Sequence, residues 1–479
     1  MNSIKADAQS KFIFLMIVVC QLFFANGLYL FACVTTFFVL CYFVQKVHVS
    51  GVFTVMLAQH ILQIIAGVWL CNYLDTGINY RSPETATATI VSLIGVIFLF
   101  IPIIYVQNDL PDITMADIKR SANQLSTERT FYCYIISFFV TASLGSVAAS
   151  LPGLAQIIYS VVKIKWLFFL LFGYQSVVKK EKRTFFYIAI IFEFLSGFFS
   201  FFSDFKTVIY FLIILLLTLI GSVNFRRILY GLTIIILMAA MTLFWSSIKV
   251  SYRAFLNGGK KSQAVVVSKE EAFNKLQSLS NDVDQSSLEG SVKTSLDRIQ
   301  YTYYFAKTIE RVPDVIPFQN GKNWLDNIVF CTTPRFLDPD KPTIDNSLKT
   351  TKYTGIRHLG AKSGVSFSLG YFAEFYIDFG FYGMMVGILI LGFVYGRIYN
   401  YFMRWSSNNL IFNYAVVGSF FLEFIGFEAD GTFLLGRLLA SLLTYILLIN
   451  YAFPLILDFI SADRINSASK QGTEDNLNM

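Results

Sequence analysis

Apolar residues occupy this chain in long runs set apart by short polar turns, at 12–26, 27–45, 51–73, 86–106, 131–149, 155–178, 184–203, 207–223, 228–247, 378–402, 408–427 and 432–456. A helix needs roughly 20 apolar residues to cross about 30 Å of hydrocarbon. The pattern therefore predicts an all-α polytopic integral membrane protein with about a dozen spans. The run at 12–26 is short and predicts a tight hairpin with the run that starts at Gly27. Lysines precede it, as in a signal peptide, but the second run follows at once, so it is read as a retained first helix.

The alternation breaks once, over 249–377. That stretch divides the chain into spans one to nine (1–248), a large loop (249–377), spans ten to twelve (378–456) and a polar tail (457–479). Within the loop, 257–295 is rich in Gly, Ser, Gln, Asn, Lys and Glu, which predicts exposed helices and linkers. Between 296 and 330, Tyr301, Tyr303, Tyr304, Phe305, Ile309 and Val312 interleave with Arg298, Lys307 and Arg311. That mixture suits amphipathic helices lying on the membrane or capping the bundle. At Pro334-Arg335-Phe336-Leu337-Asp338-Pro339-Asp340-Lys341-Pro342, three prolines stiffen the backbone and the charges demand water or partners. Glu374, Asp378, Gly380 and Gly383 then lead back into an apolar run. No internal repeat is visible.

Charge orients this plan. Only 14% of residues are charged and 55% are apolar, against a soluble norm of roughly 25% charged. Lys46, then Lys119, Arg120 and Arg129, then Lys179, Lys180, Lys182 and Arg183, then Arg226 and Arg227, then Arg397 and Arg404 all fall in alternate loops. The positive-inside rule makes those loops cytoplasmic, both termini cytoplasmic, and the large loop external. The net charge of +7 is thus a topology signal, and no nucleic-acid partner is implied. Six dispersed cysteines and three dispersed histidines form no zinc or disulfide pattern. No P-loop is present. The acid pair at Asp282-Val283-Asp284 resembles a nucleotide-sugar metal motif but lies in an external segment without nucleotide sugars.

Ionisable groups within spans are functional candidates, because burying them is costly. Glu193 leads, with Ser196, Gly197, Ser200, Ser203 and Asp204 on its helical face and Lys206 beyond. The stripe lines a polar cavity, or it is packing in which Glu193 bonds a neighbouring helix. Lys163 and Lys165 lie inside the sixth run or snorkel to its edge. Lys249 and Arg253, four apart, repel unless an anion sits between them. Glu423 and Arg437 flank a turn carrying Glu428 and Asp430, and form either an interhelical ion pair or part of a site. In the large loop Arg335, Lys341, Lys352, Arg357 and Lys362 supply cations, His358 an imidazole, and Asp338, Asp340, Glu374 and Asp378 acids. Singly, each reads as a solvated loop residue, while the clustering beside prolines and glycines points to a site.

Three segments carry a resemblance: the Pro334-Arg335 to Asp340-Lys341-Pro342 run; Gly370-Tyr371-Phe372-Ala373-Glu374-Phe375-Tyr376-Ile377-Asp378-Phe379-Gly380 with the following Phe381-Tyr382-Gly383; and Glu193 to Lys206. With them, and with its many spans and one large late loop, the chain resembles the bacterial repeat-unit polymerases: the O-antigen, capsule and exopolysaccharide polymerases of the lipid-carrier pathway. The paired arginine–glycine spacing of some relatives is absent here. The resemblance implies a GT-C-like membrane glycosyltransferase on the periplasmic face of the bacterial inner membrane. Glycan on undecaprenyl pyrophosphate would pass to the terminal hydroxyl of a second lipid-linked repeat unit. No cofactor or metal is implied. Membrane lipids, a chain-length regulator and a flippase are candidate partners. In that scheme Arg335, Lys341, Arg357 and Arg298 meet pyrophosphate or glycan. Glu374 is the leading base, followed by Asp378, His358 and Asp340. Glu193 and Lys206 line the cavity floor, and Lys163 and Arg253 are further substrate-binding candidates. The alternatives are an O-antigen ligase, a lipid-linked oligosaccharide flippase, and a structural partner of a glycan-export complex.

Overall fold

The computed structural model describes residues 5–6, 8–47, 51–150, 155–198, 205–219, 222–223, 225–259, 266–333, 338, 340–341, 345–358 and 367–462. Apart from a two-residue parallel pairing of Lys5–Ala6 with Ser222–Val223, the fold is helical. The first half holds α1 (Ala8–Cys20), α2 (Gly27–Val47), α3 (Gly51–Tyr73), α4 (Thr85–Gln107), α5 (Met115–Asn123) and α6 (Thr127–Ser150). Next come α7 (Ala155–Val162), α8 (Ile164–Lys179), α9 (Arg183–Phe198), α10 (Phe205–Leu219) and the long α11 (Phe225–Leu256). The large loop folds into α12 (Lys269–Asn281), α13 (Gln285–Ile299), α14 (Thr302–Ile309), α15 (Lys322–Thr332) and α16 (Asn346–Thr354). The chain returns through α17 (Tyr371–Trp405), α18 (Leu410–Phe421), α19 (Gly431–Leu447) and α20 (Phe453–Ile460).

Among the described residues, six stretches are long and apolar enough to cross a membrane: Gly27–Lys46, Gly51–Tyr73, Thr85–Gln107, Gln156–Lys179, Tyr371–Trp405 and Gly431–Ile460. The chain is a membrane protein. Three more of the expected dozen, Phe12–Phe23, Phe205–Leu219 and Leu410–Phe424, are apolar but shorter. The remaining three fall in α6, α9 and α11, at whose ends or within which some residues lie outside the description.

The two ends of the bundle differ. At one, the end of α5, the start of α6, the end of α8 and the end of α20 are tied together. Ser126 N donates to Ile460 O (2.7 Å), Arg129 to Phe459 O (2.7 Å), and Lys179 to Leu125 O (3.2 Å). Lys119, Arg120, Lys180, Lys182 and Arg183 stand exposed there. At the other end, α12 to α16 form a helical cap, with α13 against α3 and α11, α14 against α4, and α15 against α17 and α19. Arg81, between α3 and α4, pairs with Asp297 of α13, and Tyr301 N donates to Gln63 O (3.1 Å).

Helix α17 joins cap to bundle and is two helices in one. Gly380 breaks it, with φ 65° and ψ −167°, a backbone region that only glycine adopts freely. The first half, 371–379, belongs to the cap end. The second half runs down the bundle against α4, where Gly392 permits the closest approach. A Cβ there would stand 2.1 Å from Leu99 O.

A candidate charged site beneath the cap

The first half of α17 carries Glu374 and Asp378 one turn apart on the same face, each bound to the start of another helix. Asp378 caps α15: Asn323 Nδ2 donates to its Oδ1 (2.6 Å) and Trp324 N to its Oδ2 (2.9 Å). Glu374, with no exposed surface, reaches the start of α19. Gly431 N (2.8 Å) and Asn327 Nδ2 (3.1 Å) donate to its Oε2, and Lys349 Nζ of α16 stands 2.5 Å from its Oε1. A carboxylate at a helix N-terminus is favoured by the macrodipole, so both acids staple the cap to the bundle. Burial works against the Lys349 charge, yet the Glu374 carboxylate more than offsets it and raises the lysine pKa.

Asp430 stands beside Glu374. It is 1% exposed and is the N-cap of α19, its Oδ1 accepting from Phe433 N (2.8 Å). Burial first, then the charge of Glu374, pushes its carboxyl up to about 6. Around the same turn, Gln63 donates to Glu428 and Phe427 N donates to Gln63 Oε1 (2.9 Å). Burial also raises the Glu428 carboxyl. Glu423 pairs with Lys163 and, at 4.0 Å, with Arg437 of α19. Four acids and three cations thus gather around one turn, with Glu374 and Asp430 buried and Glu428 and Arg437 exposed.

A second group has a single sign. Lys206 opens α10, Lys249 and Arg253 lie on α11 beyond its apolar stretch, and Arg298 ends α13. Ser295 Oγ to Ser246 Oγ (2.9 Å) locks α13 to α11. Burial and the charges of Arg298, Arg253 and Lys206 bring Lys249 down to about 7. No carboxylate among the described residues forms an ion pair with Lys206, Lys249 or Arg298. Tyr301 bridges the two groups, within electrostatic reach of Glu428, Arg298 and Asp430.

An apolar groove of about 520 Å³ descends between the second half of α17 and α19, lined by Phe375, Phe379, Val386, Ile390, Leu434 and Leu438. Trp324 of the cap closes its upper end, stacked on Phe375 at 4.1 Å. The same indole packs against Gly431: a Cβ there would meet Trp324 Cη2 at 3.3 Å and Glu374 Oε2 at 2.6 Å. The groove and the acid group therefore share a wall.

Of the residues singled out from sequence, Glu374 joins Asp378, and Lys206, Arg253 and Arg298 join one another. Lys163 joins the acid-rich region through Glu423. Glu193 lies elsewhere, accepting from Tyr134 O–H (2.9 Å) and Lys165 Nζ (2.8 Å). Ser200, Ser203 and Asp204 of its stripe lie outside the described residues, as does Arg335. Lys341 donates to Thr333 O (2.7 Å) and Phe330 O, holding the end of α15. Asp340 and Arg357 are exposed. His358 stacks on Phe367 at 4.6 Å, and burial lowers its pKa.

Lys349, Asn327 and the role of Asp430 are what the sequence reading missed. An Asp-Gly pair just before an apolar run is an N-cap signal for Asp430. Lys349 carries no such signal, since its partner lies 25 residues away in sequence. Among the described residues no group of three or more His, Cys, Asp or Glu side chains is arranged to hold a metal ion. No curated protein and no solved structure matches the chain. A family model does match, over residues 4–410, and the chain belongs to that family, described as a domain of unknown function, DUF8712.

Proposed function

We propose that this membrane protein is a glycosyltransferase that polymerises oligosaccharide repeat units carried on a polyprenyl pyrophosphate. The observation that carries the reading is the segregation of charge under the cap. Lys206, Lys249 and Arg298 gather without carboxylate partners among the described residues, beside an acid-rich region that borders an apolar groove. Glycosyl transfer from a lipid pyrophosphate needs these elements together. The departing pyrophosphate gathers negative charge, which preorganised cations stabilise more in the transition state than in the substrate. The attacking sugar hydroxyl is a weak nucleophile and gains from a carboxylate base. The isoprenoid tail needs an apolar channel open to the membrane. In this scheme the remaining spans complete a bundle of about a dozen, the cap faces the periplasm, and the basic end faces the cytoplasm.

The test is reconstitution of the full chain in liposomes with a lipid-linked repeat unit. The reading expects a ladder of lengthened glycans, and Arg298→Ala expects its loss with protein level unchanged. Lipid moved across the bilayer with no new glycosidic bond would establish a flippase instead. Transfer only onto a lipid A core acceptor would establish a ligase.

A further inference from the structure

Resting on the transferase reading, we infer that Asp430 takes the proton of the attacking sugar hydroxyl, while Glu374 and Lys349 act as positioning residues. Glu374 has both oxygens engaged by named partners: Oε2 accepts from Asn327 and Gly431 N, and Oε1 is ion-paired with Lys349. Asp430 is only half used. Its Oδ1 caps α19, but its Oδ2 is buried and has no hydrogen-bond partner among the described residues. An N-cap needs one oxygen, and a buried acceptor left without a partner is unfavourable. The fold therefore retains a second oxygen that gives it no stability.

Trp324, whose Cη2 corner packs on Gly431 and which is 8% exposed against 1% for Asp430, keeps its Nε1–H without a partner among the described residues. A hydroxyl both donates and accepts, so an orphaned acceptor on Asp430 and an orphaned donor on an indole that packs on the next residue, Gly431, suit a sugar hydroxyl. The surrounding charges agree. Glu374 from α17 acts on Asp430 in one direction, and Lys349 from α16 and Arg437 on α19 in the other. Cys331 of α15 and Tyr301 before α14 are the other titratable neighbours. Helix α7 packs farther along α19, with Gln156 at Gly436. With its pKa pushed up to about 6, the carboxylate is ionised at neutral pH and more basic than an exposed one, the compromise a general base requires. In the step, the hydroxyl O–H bond breaks toward Asp430 Oδ2 as its oxygen bonds the anomeric carbon. The anomeric C–O bond to the pyrophosphate breaks, its electron pair leaves with the pyrophosphate, and the proton passes from Asp430 to water.

Asp430→Ser and Asp430→Asn separate base from cap, because serine and asparagine are both good N-cap residues. In the reconstituted full chain, either variant should keep its thermal midpoint and lose about 10²- to 10⁴-fold in kcat, with KM within about threefold. The wild-type rate should fall as pH drops through about 6. Glu374→Gln should move that limb to lower pH and Lys349→Met to higher pH, opposite shifts that a purely structural role does not produce. A folded Asp430→Ser protein with kcat within about threefold of wild type overturns the assignment. So does a limb that stays in place in both positioning variants. If wild type itself joins no repeat units, the transferase reading falls and this inference with it. If wild type and Asp430→Ser both join them, Asp430 alone is refuted.

Discussion

Two buried acids in this fold are held in opposite ways. Glu193 meets one ammonium, Lys165 at 2.8 Å, and one phenol, Tyr134 at 2.9 Å. It is a closed pair between neighbouring helices. Glu374 meets one ammonium too, but it shares Lys349 with Asp430, and a third acid, Glu428, lies around the same turn. A closed pair satisfies its own charge and asks nothing of a ligand. A shared ammonium leaves a carboxylate whose proton affinity depends on its neighbours, and such groups concentrate at functional sites. The difference separates Glu193 as a staple from Asp430 as a reagent, although a span-by-span reading of the sequence ranks Glu193 higher.

The largest effect should come from removing the shared cation. Lys349→Met leaves Glu374 and Asp430 buried without it, and breaking a buried pair costs about 3–5 kcal/mol. The penalty has a pH signature. Asp430 already sits above its unfolded value, and losing Lys349 raises it further. A raised carboxyl contributes stability below its unfolded pKa and loses it as pH rises through the folded one. Thermal unfolding in detergent should therefore show the variant closest to wild type near pH 4–5 and furthest from it near pH 7–8. A pH-independent deficit would remove the shared-ammonium picture.

Breaking the closed pair should matter less when both partners go. Glu193→Gln alone strands Lys165, whose side chain is 16% exposed, and should cost about 3 kcal/mol. Glu193→Gln with Lys165→Met should recover most of that, since replacing a buried ion pair by apolar groups is often close to neutral. Glycan product should persist in the double variant. If the double variant folds but makes none, Glu193 belongs to the site and the comparison fails.

The sequence reached the architecture further than the site, for a physical reason. Runs of about 20 apolar residues declare a membrane helix locally, and the amphipathic mixture at 296–330 declares helices that lie on the membrane or cap the bundle. The Gly370 to Gly383 segment could be singled out because its acids and glycines are contiguous. The cluster itself is not contiguous: Glu374 finds Lys349, Asn327 and Gly431 on three other helices. Hydropathy also drew the tenth span from 378, whereas the helix starts at Tyr371 and bends at Gly380. Nine residues of helix, Glu374 and Asp378 among them, precede that bend, and only tertiary partners make those acids favourable to bury. Lys249 and Arg253 show the opposite case, where a spacing of four on one helix exposed the repulsion before any fold was known.

That repulsion supplies the smallest and most discriminating effect. Burial first, then the charges of Arg298, Arg253 and Lys206, bring Lys249 down to about 7. Each like-charge neighbour in a helix-surface geometry is unfavourable by a few tenths of a kcal/mol. Lys249→Gln should thus leave the folded protein equal to wild type or more stable by up to about 0.5 kcal/mol. Transfer should move the other way. A lost charge-assisted contact to a phosphate is worth about 1.5–3 kcal/mol, or roughly a 10- to 100-fold drop in kcat/KM. Salt should mimic the substitution on the stability side, since screening relaxes the same repulsion. The acid group responds with one sign, because removing Lys349 harms folding and transfer together. The cation group should respond with two, and equal losses of stability and transfer in Lys249→Gln would mark it as structural.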